Sequence, residues 1–150
     1  MEQTTIIKTK YNHSEIDNKL LKELMVGKEF LAVYTSADKE KLVFSKYNST
    51  KDEQGITFYH EQDCCEDVSI EDICGDLNDL MCTPILSAEF YTNEGYSEDG
   101  SYTWTFYKFS TIKGDVTVRW YGTSNGYYSE EVDLIVTEEQ DNDSITLGEM

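Results

Sequence analysis

From Asp52 to Tyr107 the chain contains no lysine and no arginine. The same stretch carries fourteen Asp and Glu and holds most of an imbalance that reaches −18 over 150 residues. Arginine is nearly absent throughout, with Arg119 the single one. An enzyme that handles phosphates places Arg or Lys around the transferred group, so this scarcity counts against that class. A surface this negative repels nucleic acid and anionic membrane and attracts basic proteins.

Other absences narrow the class further. The chain has one proline, Pro84, and no Pro/Gly/Ser-rich linker, so a single domain is expected. It has no apolar run beyond a few residues, which excludes a membrane-spanning helix. The opening MEQTTIIKTKYNHSE has no apolar core of a secretory signal, so a reducing compartment is expected. There the four cysteines, Cys64, Cys65, Cys74 and Cys82, are read as thiols. Internal repeats and low-complexity tracts are lacking. So are the GxGxxG, GxxxxGK[ST] and GxSxG motifs.

What is present suffices for a core. Hydrophobic residues make up 39% and aromatics 13%, with eleven Tyr, six Phe and two Trp. A chain of this length buries roughly 68–70% of its unfolded surface and needs no metal or disulfide to fold.

Residues 1–13 read as an N-terminal arm, 14–137 as one α+β domain and 138–150 as an acidic, mobile tail. Ser14-Glu15-Ile16-Asp17 resembles a capping box. Ile16, Leu20, Leu21, Leu24 and Met25 then recur at helical spacing up to Gly27, which predicts a helix over about 15–25. Residues 28–36, 41–47 and 56–60 are strand-like and suggest a β-meander. A second capping signal at Ser69 and the spacing of Ile70, Ile73, Leu77, Leu80 and Met81 predict a short central helix before Pro84. Residues 85–91 return to strand, and 92–100 read as an exposed acidic loop.

In the last third Tyr102, Trp104 and Phe106 alternate with Thr103, Thr105 and Tyr107. Val116, Val118 and Trp120 alternate with Thr117, Arg119 and Tyr121. Asn125-Gly126 favours a type I′ hairpin into residues 131–137. The expected fold is thus α+β, with about seven mostly antiparallel strands. It includes a C-terminal three-stranded meander, an N-terminal helix and a short central helix.

Reactive side chains are densest at His60, Cys64 and Cys65. Zinc ligands usually come as spaced pairs, whereas adjacent cysteines point to opposite sides of an extended chain. No metal or other cofactor is therefore expected, and a cysteine packed as a small hydrophobe is the simpler reading. A thiol nucleophile needs nearby positive charge, and this stretch supplies the opposite. The acids around Asp72–Asp79 and Glu94–Asp99 do not follow calcium-loop spacing. No catalytic residue is assigned, and an enzyme is not expected. Arg119, flanked by Trp120 and Tyr121, is expected to pair with a carboxylate or stack on a ring. The turn Asn125, Gly126, Tyr127, Tyr128 has a composition suited to a binding surface.

The run His60-x-x-Asp63-Cys64-Cys65-Glu66-x-Val68-x-Ile70-Glu71-Asp72-Ile73-x-Gly75-Asp76-Leu77-x-Asp79-Leu80 is distinctive, as is Ser124-Asn125-Gly126-Tyr127-Tyr128-Ser129. Together they resemble a small uncharacterised domain family of tailed bacteriophages and prophages, over roughly residues 24–135. The resemblance implies expression in the cytoplasm of an infected bacterium and no assigned activity.

Small acidic proteins of that origin suit binding to host proteins. Nucleic-acid enzymes present basic channels, and a row of carboxylates on a folded protein can be steered into one. The expectation is an inhibitor or modulator of a host nucleic-acid enzyme, of the anti-CRISPR or anti-restriction kind, which could act as a DNA mimic. It would neither contact nucleic acid directly nor bind membrane. The residues expected to face the partner are Glu61, Asp63, Glu66, Asp67, Glu71, Asp72, Asp76, Asp79, Glu94, Glu98 and Asp99. One rival is an accessory protein that is acidic only for solubility. Another is a small-ligand or signalling-nucleotide binder using the aromatic sheet face (Tyr102, Trp104, Trp120, Tyr127, Tyr128). The sequence leaves oligomeric state open.

Overall fold

The computed structural model describes residues 4–47, 54–62, 66–98, 100–124 and 130–141. These form nine strands in two sheets. The strands are β1 (Thr4–Tyr11), β2 (Ala32–Thr35), β3 (Lys41–Ser45), β4 (Gly55–Tyr59), β5 (Glu66–Cys74), β6 (Ser87–Ser97), β7 (Gly100–Thr111), β8 (Gly114–Ser124) and β9 (Asp133–Asp141). One α-helix, α1 (Asn18–Met25), lies between β1 and β2, and short 3₁₀ turns occupy His13–Glu15 and Leu77–Leu80.

One sheet has the order β1-β9-β4-β3-β2 and the other β5-β8-β7-β6, with every strand pair antiparallel. Alternation along β4, β7, β8 and β9 turns one side of each strand toward the space between the sheets. Leu42, Phe44, Ile56, Phe58 and Leu134 come from the first sheet, and Val68, Ile70, Tyr107, Phe109, Val116, Val118 and Trp120 from the second. Ring contacts tie the layers directly: Phe44 to Phe109 at 4.8 Å and Phe58 to Tyr107 at 4.7 Å.

This corrects the expected α+β fold of about seven strands with two helices. The N-terminal helix forms, though Asp17 caps it by accepting from the Leu20 N–H at 2.7 Å. The capping box belongs instead to Asn12 and Glu15, around the 3₁₀ turn. Gly27, with φ +86, follows the helix in the left-handed region that suits glycine. Leu21 and Met25 are fully buried, and Asn18 Oδ1 accepts the Phe90 N–H of edge strand β6 at 2.8 Å.

The central helix is absent, because β5 runs through the first half of its span, as far as Cys74. Val68 and Ile70 face the core, the register shifts between Ile70 and Asp72, and Ile73 returns inward. One extra residue at Glu71 thus turns a period-2 strand into spacing that imitates a helix. β-Branched side chains favour the strand. Gly75, at φ +115, follows its end, leaving only the short turn at Leu77–Leu80.

The C-terminal meander is corrected as well. β6, β7 and β8 make the three-stranded meander, whereas β9 crosses to the other sheet and lies between β1 and β4. Val132 and Leu134 are buried in the shared core, which draws this segment across. The expected loop over 92–100 is instead the β6–β7 hairpin, registered as far as Ser97 opposite Gly100. Thr4–Tyr11, within the segment read as an arm, pairs along its length with β9. The Asn125-Gly126 turn lies outside the described residues. No helix among them is long and apolar enough to cross a membrane.

Candidate functional site

β7 presents two very different faces. Thr103, Thr105, Tyr107 and Phe109 point inward, and Trp120 of β8 stands directly opposite Thr105. The large indole fills the layer where threonine leaves room, so the other phase of β7 turns outward. Tyr102, Trp104 and Phe106 therefore stand on the outer face of the four-stranded sheet, half-buried. Tyr91 of β6 stacks on Phe106 at 4.7 Å, and Tyr121 of β8 meets Trp104 at 4.6 Å. Tyr102 lies 6.2 Å from Tyr121 and covers Gly95, where any side chain would run into its ring. The result is a continuous strip of rings across three strands. Of the aromatic face expected from sequence, Tyr102 and Trp104 belong to this strip and Trp120 faces the opposite way. Tyr127 and Tyr128, with Asn125 and Gly126, lie outside the described residues.

Arg119 behaves as expected. Its guanidinium makes a two-pronged ion pair with Asp72 across β5 and β8, and its Cζ lies 5.8 Å from the Trp104 ring centroid. That pairing holds the Asp72 carboxyl below the usual carboxylate range. The outward carboxylates Asp67, Asp72, Glu89 and Asp115 outnumber the cations Lys108 and Arg119 on this face.

The acids expected to act together do not share one ridge. Asp67, Glu71 and Asp72 are on edge strand β5, while Glu94 is on edge strand β6 and Glu98 follows it at the hairpin. The two edges are three strand spacings apart, roughly 14 Å. Glu61 pairs with Lys10 at 3.4 Å, on the side of the other sheet. Asp76 caps the 3₁₀ turn, and the Asp79 carboxylate lies against Gly114. Glu66 is inside, its side chain only 3% exposed, with Oε1 2.5 Å from His60 Nε2. Asp63 and Asp99 lie outside the described residues.

His60 is fully engaged, since its Nδ1 lies 2.7 Å from the Glu131 carbonyl oxygen. Both ring nitrogens have partners within the fold, which leaves neither for a metal or a thiol. Cys64 and Cys65 lie outside the described residues, and Cys74 and Cys82 are free, exposed thiols. Among the described residues no group of three or more His, Cys, Asp or Glu is placed to hold a metal ion.

Two features carried no sequence signal. Glu130 is buried and accepts hydrogen bonds from Ser101, Thr103 and Ser124, tying β7 and β8 to the segment that crosses between sheets. Gly122 makes space for it, because a Cβ there would press on the Glu130 backbone. Nearby, His13 lies 3.2 Å from Glu131 and 3.5 Å from Asp133. Burial and a hydrogen bond with Glu94 hold Glu131 above the ordinary glutamate range, against the pull of His13.

The second feature is a cleft of about 770 Å³ on the outer face of the five-stranded sheet. Ile6, Lys8 and Lys10 reach it from β1, Ile135 and Thr137 from β9, Thr57 and Tyr59 from β4, and Lys41 from β3. Lys10 Nζ stands 6.0 Å from the Tyr59 ring centroid, and Tyr59 with Glu61 raises its pKa above the ordinary lysine value.

These features define a β-sandwich with one aromatic outer face and one outer face that carries a lysine-lined cleft. The chain belongs to a family described as a domain of unknown function (DUF7448), whose model matches residues 23–134. No curated protein and no solved structure matches the chain. The match leaves β1 outside, together with nearly all of β9, the strand with which it pairs.

Proposed function

We propose that this protein works by binding a basic partner protein through the outer face of its four-stranded sheet. The observation that carries the reading is the strip Tyr91–Phe106–Trp104–Tyr121–Tyr102, partly exposed on the outer face and edged by carboxylates. Trp, Tyr and Arg dominate binding energy where they are desolvated by a partner, and this face offers all three. Its carboxylate surplus, within a chain of net charge −18, selects a basic surface and speeds encounter with it.

Enzymes that handle nucleic acid carry such surfaces. With the resemblance to phage and prophage domains, a host defence nuclease is the partner class that best fits the chemistry. The acids on β5, Asp67 and Glu71, would steer the approach, and the rings would make the contact. Because the carboxylates sit on separated edges, the reading relies on an aromatic patch with electrostatic guidance and not on a single row imitating a phosphate backbone.

The test is capture from bacterial lysate with the intact protein and with a Trp104→Ala/Tyr121→Ala double variant. The expected catch is a basic nucleic-acid enzyme, released by about 0.5 M salt, displaced by added DNA and lost with the double variant. Capture of such an enzyme by the double variant at undiminished level would overturn the assignment of the face. The absence of any basic partner at low salt would overturn the reading altogether.

A further inference from the structure

We propose that the cleft on the five-stranded sheet is a second, independent site that binds a small organic phosphate. Its walls divide by chemistry. Ile6, Ile135 and the Tyr59 ring form an apolar side, while Thr57, Thr137 and Gln54 supply hydroxyl and amide groups. Lys8, Lys10 and Lys41 reach in from the two flanks. A volume of about 770 Å³ is the size of a pocket for a mononucleotide or a comparable phosphate ester.

The placement of charge is the decisive feature. The chain has only twelve basic residues against thirty acidic ones, yet three of the twelve line this one cleft. Glu61 is the carboxylate among the described lining residues, and it faces Lys10 across an exposed pair at 3.4 Å. Such a pair is weak and gives way readily to a stronger anion. The register explains the convergence. Lys8 stands opposite Thr137 and Lys10 opposite Ile135, while Thr57 of β4 meets Ile135 from its other side. Lys41 stands opposite Tyr59. Alternation puts Lys8 and Lys10 on the same side of β1, roughly 7 Å apart, so two ammonium groups can share one phosphate.

The same arrangement sets selectivity. A long nucleic acid would extend beyond the cleft and be repelled by a chain of net charge −18. A compact dianion can instead sit between Lys8 and Lys10, displacing Glu61 from its exposed pair with Lys10. An apolar or aromatic body on the phosphate would lie against Tyr59 and the isoleucines. The cleft lies on the opposite side of the sandwich from the aromatic strip, so this site stands or falls separately from the proposed protein contact.

The test is an amide NMR titration with adenosine 5′-monophosphate, uridine 5′-monophosphate, inorganic phosphate and adenosine. The expected result is saturable shifts for a monophosphate at Lys8, Lys10, Thr57, Tyr59 and Thr137. Adenosine alone should bind at least about tenfold more weakly, and inorganic phosphate should compete. A Lys8→Gln/Lys10→Gln variant, altered only at exposed side chains, should keep the wild-type spectrum and lose affinity at least about tenfold. The proposal is overturned by any of three results: no saturable shift from any phosphate up to about 10 mM, shifts located on the aromatic face, or unchanged affinity in the variant.

Discussion

The chain's two tryptophans offer a direct measurement of which side of the second sheet is open. Trp104 and Trp120 sit on adjacent strands, yet one faces out and the other in. Trp120 is fully buried, so truncating it to alanine removes a large packed ring and leaves a cavity, at about 3–5 kcal/mol. Trp104 meets Tyr121 at 4.6 Å and has Arg119 at 5.8 Å. An aromatic pair is worth about 0.5–1.5 kcal/mol and an exposed cation–π contact about 0.5–1, so Trp104→Ala should cost about 1–2.5 kcal/mol. Total stability for a domain is about 5–15 kcal/mol, so the Trp104 variant stays folded. Urea unfolding gives the two costs. Acrylamide quenching of the single-tryptophan variants Trp104→Phe and Trp120→Phe gives the exposure, and a neutral quencher avoids repulsion by the chain's charge of −18. Emission from Trp104 should be quenched several-fold more strongly than emission from Trp120. Equal costs, or stronger quenching of Trp120, would refute the assignment of faces and with it the aromatic docking surface.

Two further outcomes follow from backbone and burial. Gly55 opens β4 at φ +136, and a methyl group there would collide with the Phe44 carbonyl oxygen. Gly55→Ala should therefore cost about 2–4 kcal/mol in urea unfolding, and a cost below about 0.5 would show that the strand relaxes freely. Glu131 is held above its ordinary pKa, chiefly by burial, with Glu94 and Asp133 adding to the shift and His13 opposing it. Its folded form binds a proton more readily than its unfolded form. Its contribution to stability is therefore complete below the ordinary glutamate range and fades as pH rises through the raised value. Glu131→Gln should flatten that part of the stability–pH profile, by well under about 1 kcal/mol because solvent screens the site. An unchanged profile would remove Glu131 as its source.

How much could be foreseen follows from where each signal resides. The spacing of Leu20, Leu21, Leu24 and Met25 announced α1 because a helix is a local structure. β2, β3 and β4 form the meander that the strand-like runs and intervening turns suggested. β5 was misread because a single bulge puts Ile70 and Ile73 three residues apart, an interval that a helix would also produce. β1 carried no clear pattern, since Ile6 and Ile7 are both exposed and its partner lies at the far end of the chain. The destination of β9 was hidden for the same reason. A turn signal at Asn125-Gly126 is local, while the burial of Val132 and Leu134 between layers is not. Arg119 was foreseeable because its neighbours in sequence are aromatic. The lysine cleft was not, because strand register alone brings Lys41 of β3 near Lys8 and Lys10 of β1.

β9 follows the other eight strands in chain order, yet it occupies an interior position, bonded to β1 on one side and β4 on the other. During synthesis the β4-β3-β2 part of that sheet can assemble, and the β5-β8-β7-β6 sheet can form beside it, while β1 waits without a neighbour. The first strand made is paired only when the last arrives. Such distant pairing slows folding and leaves strand edges open meanwhile. The lysines of β1, Lys8 and Lys10, thus lie on the strand that stays bare the longest, where charge guards against pairing with the wrong chain.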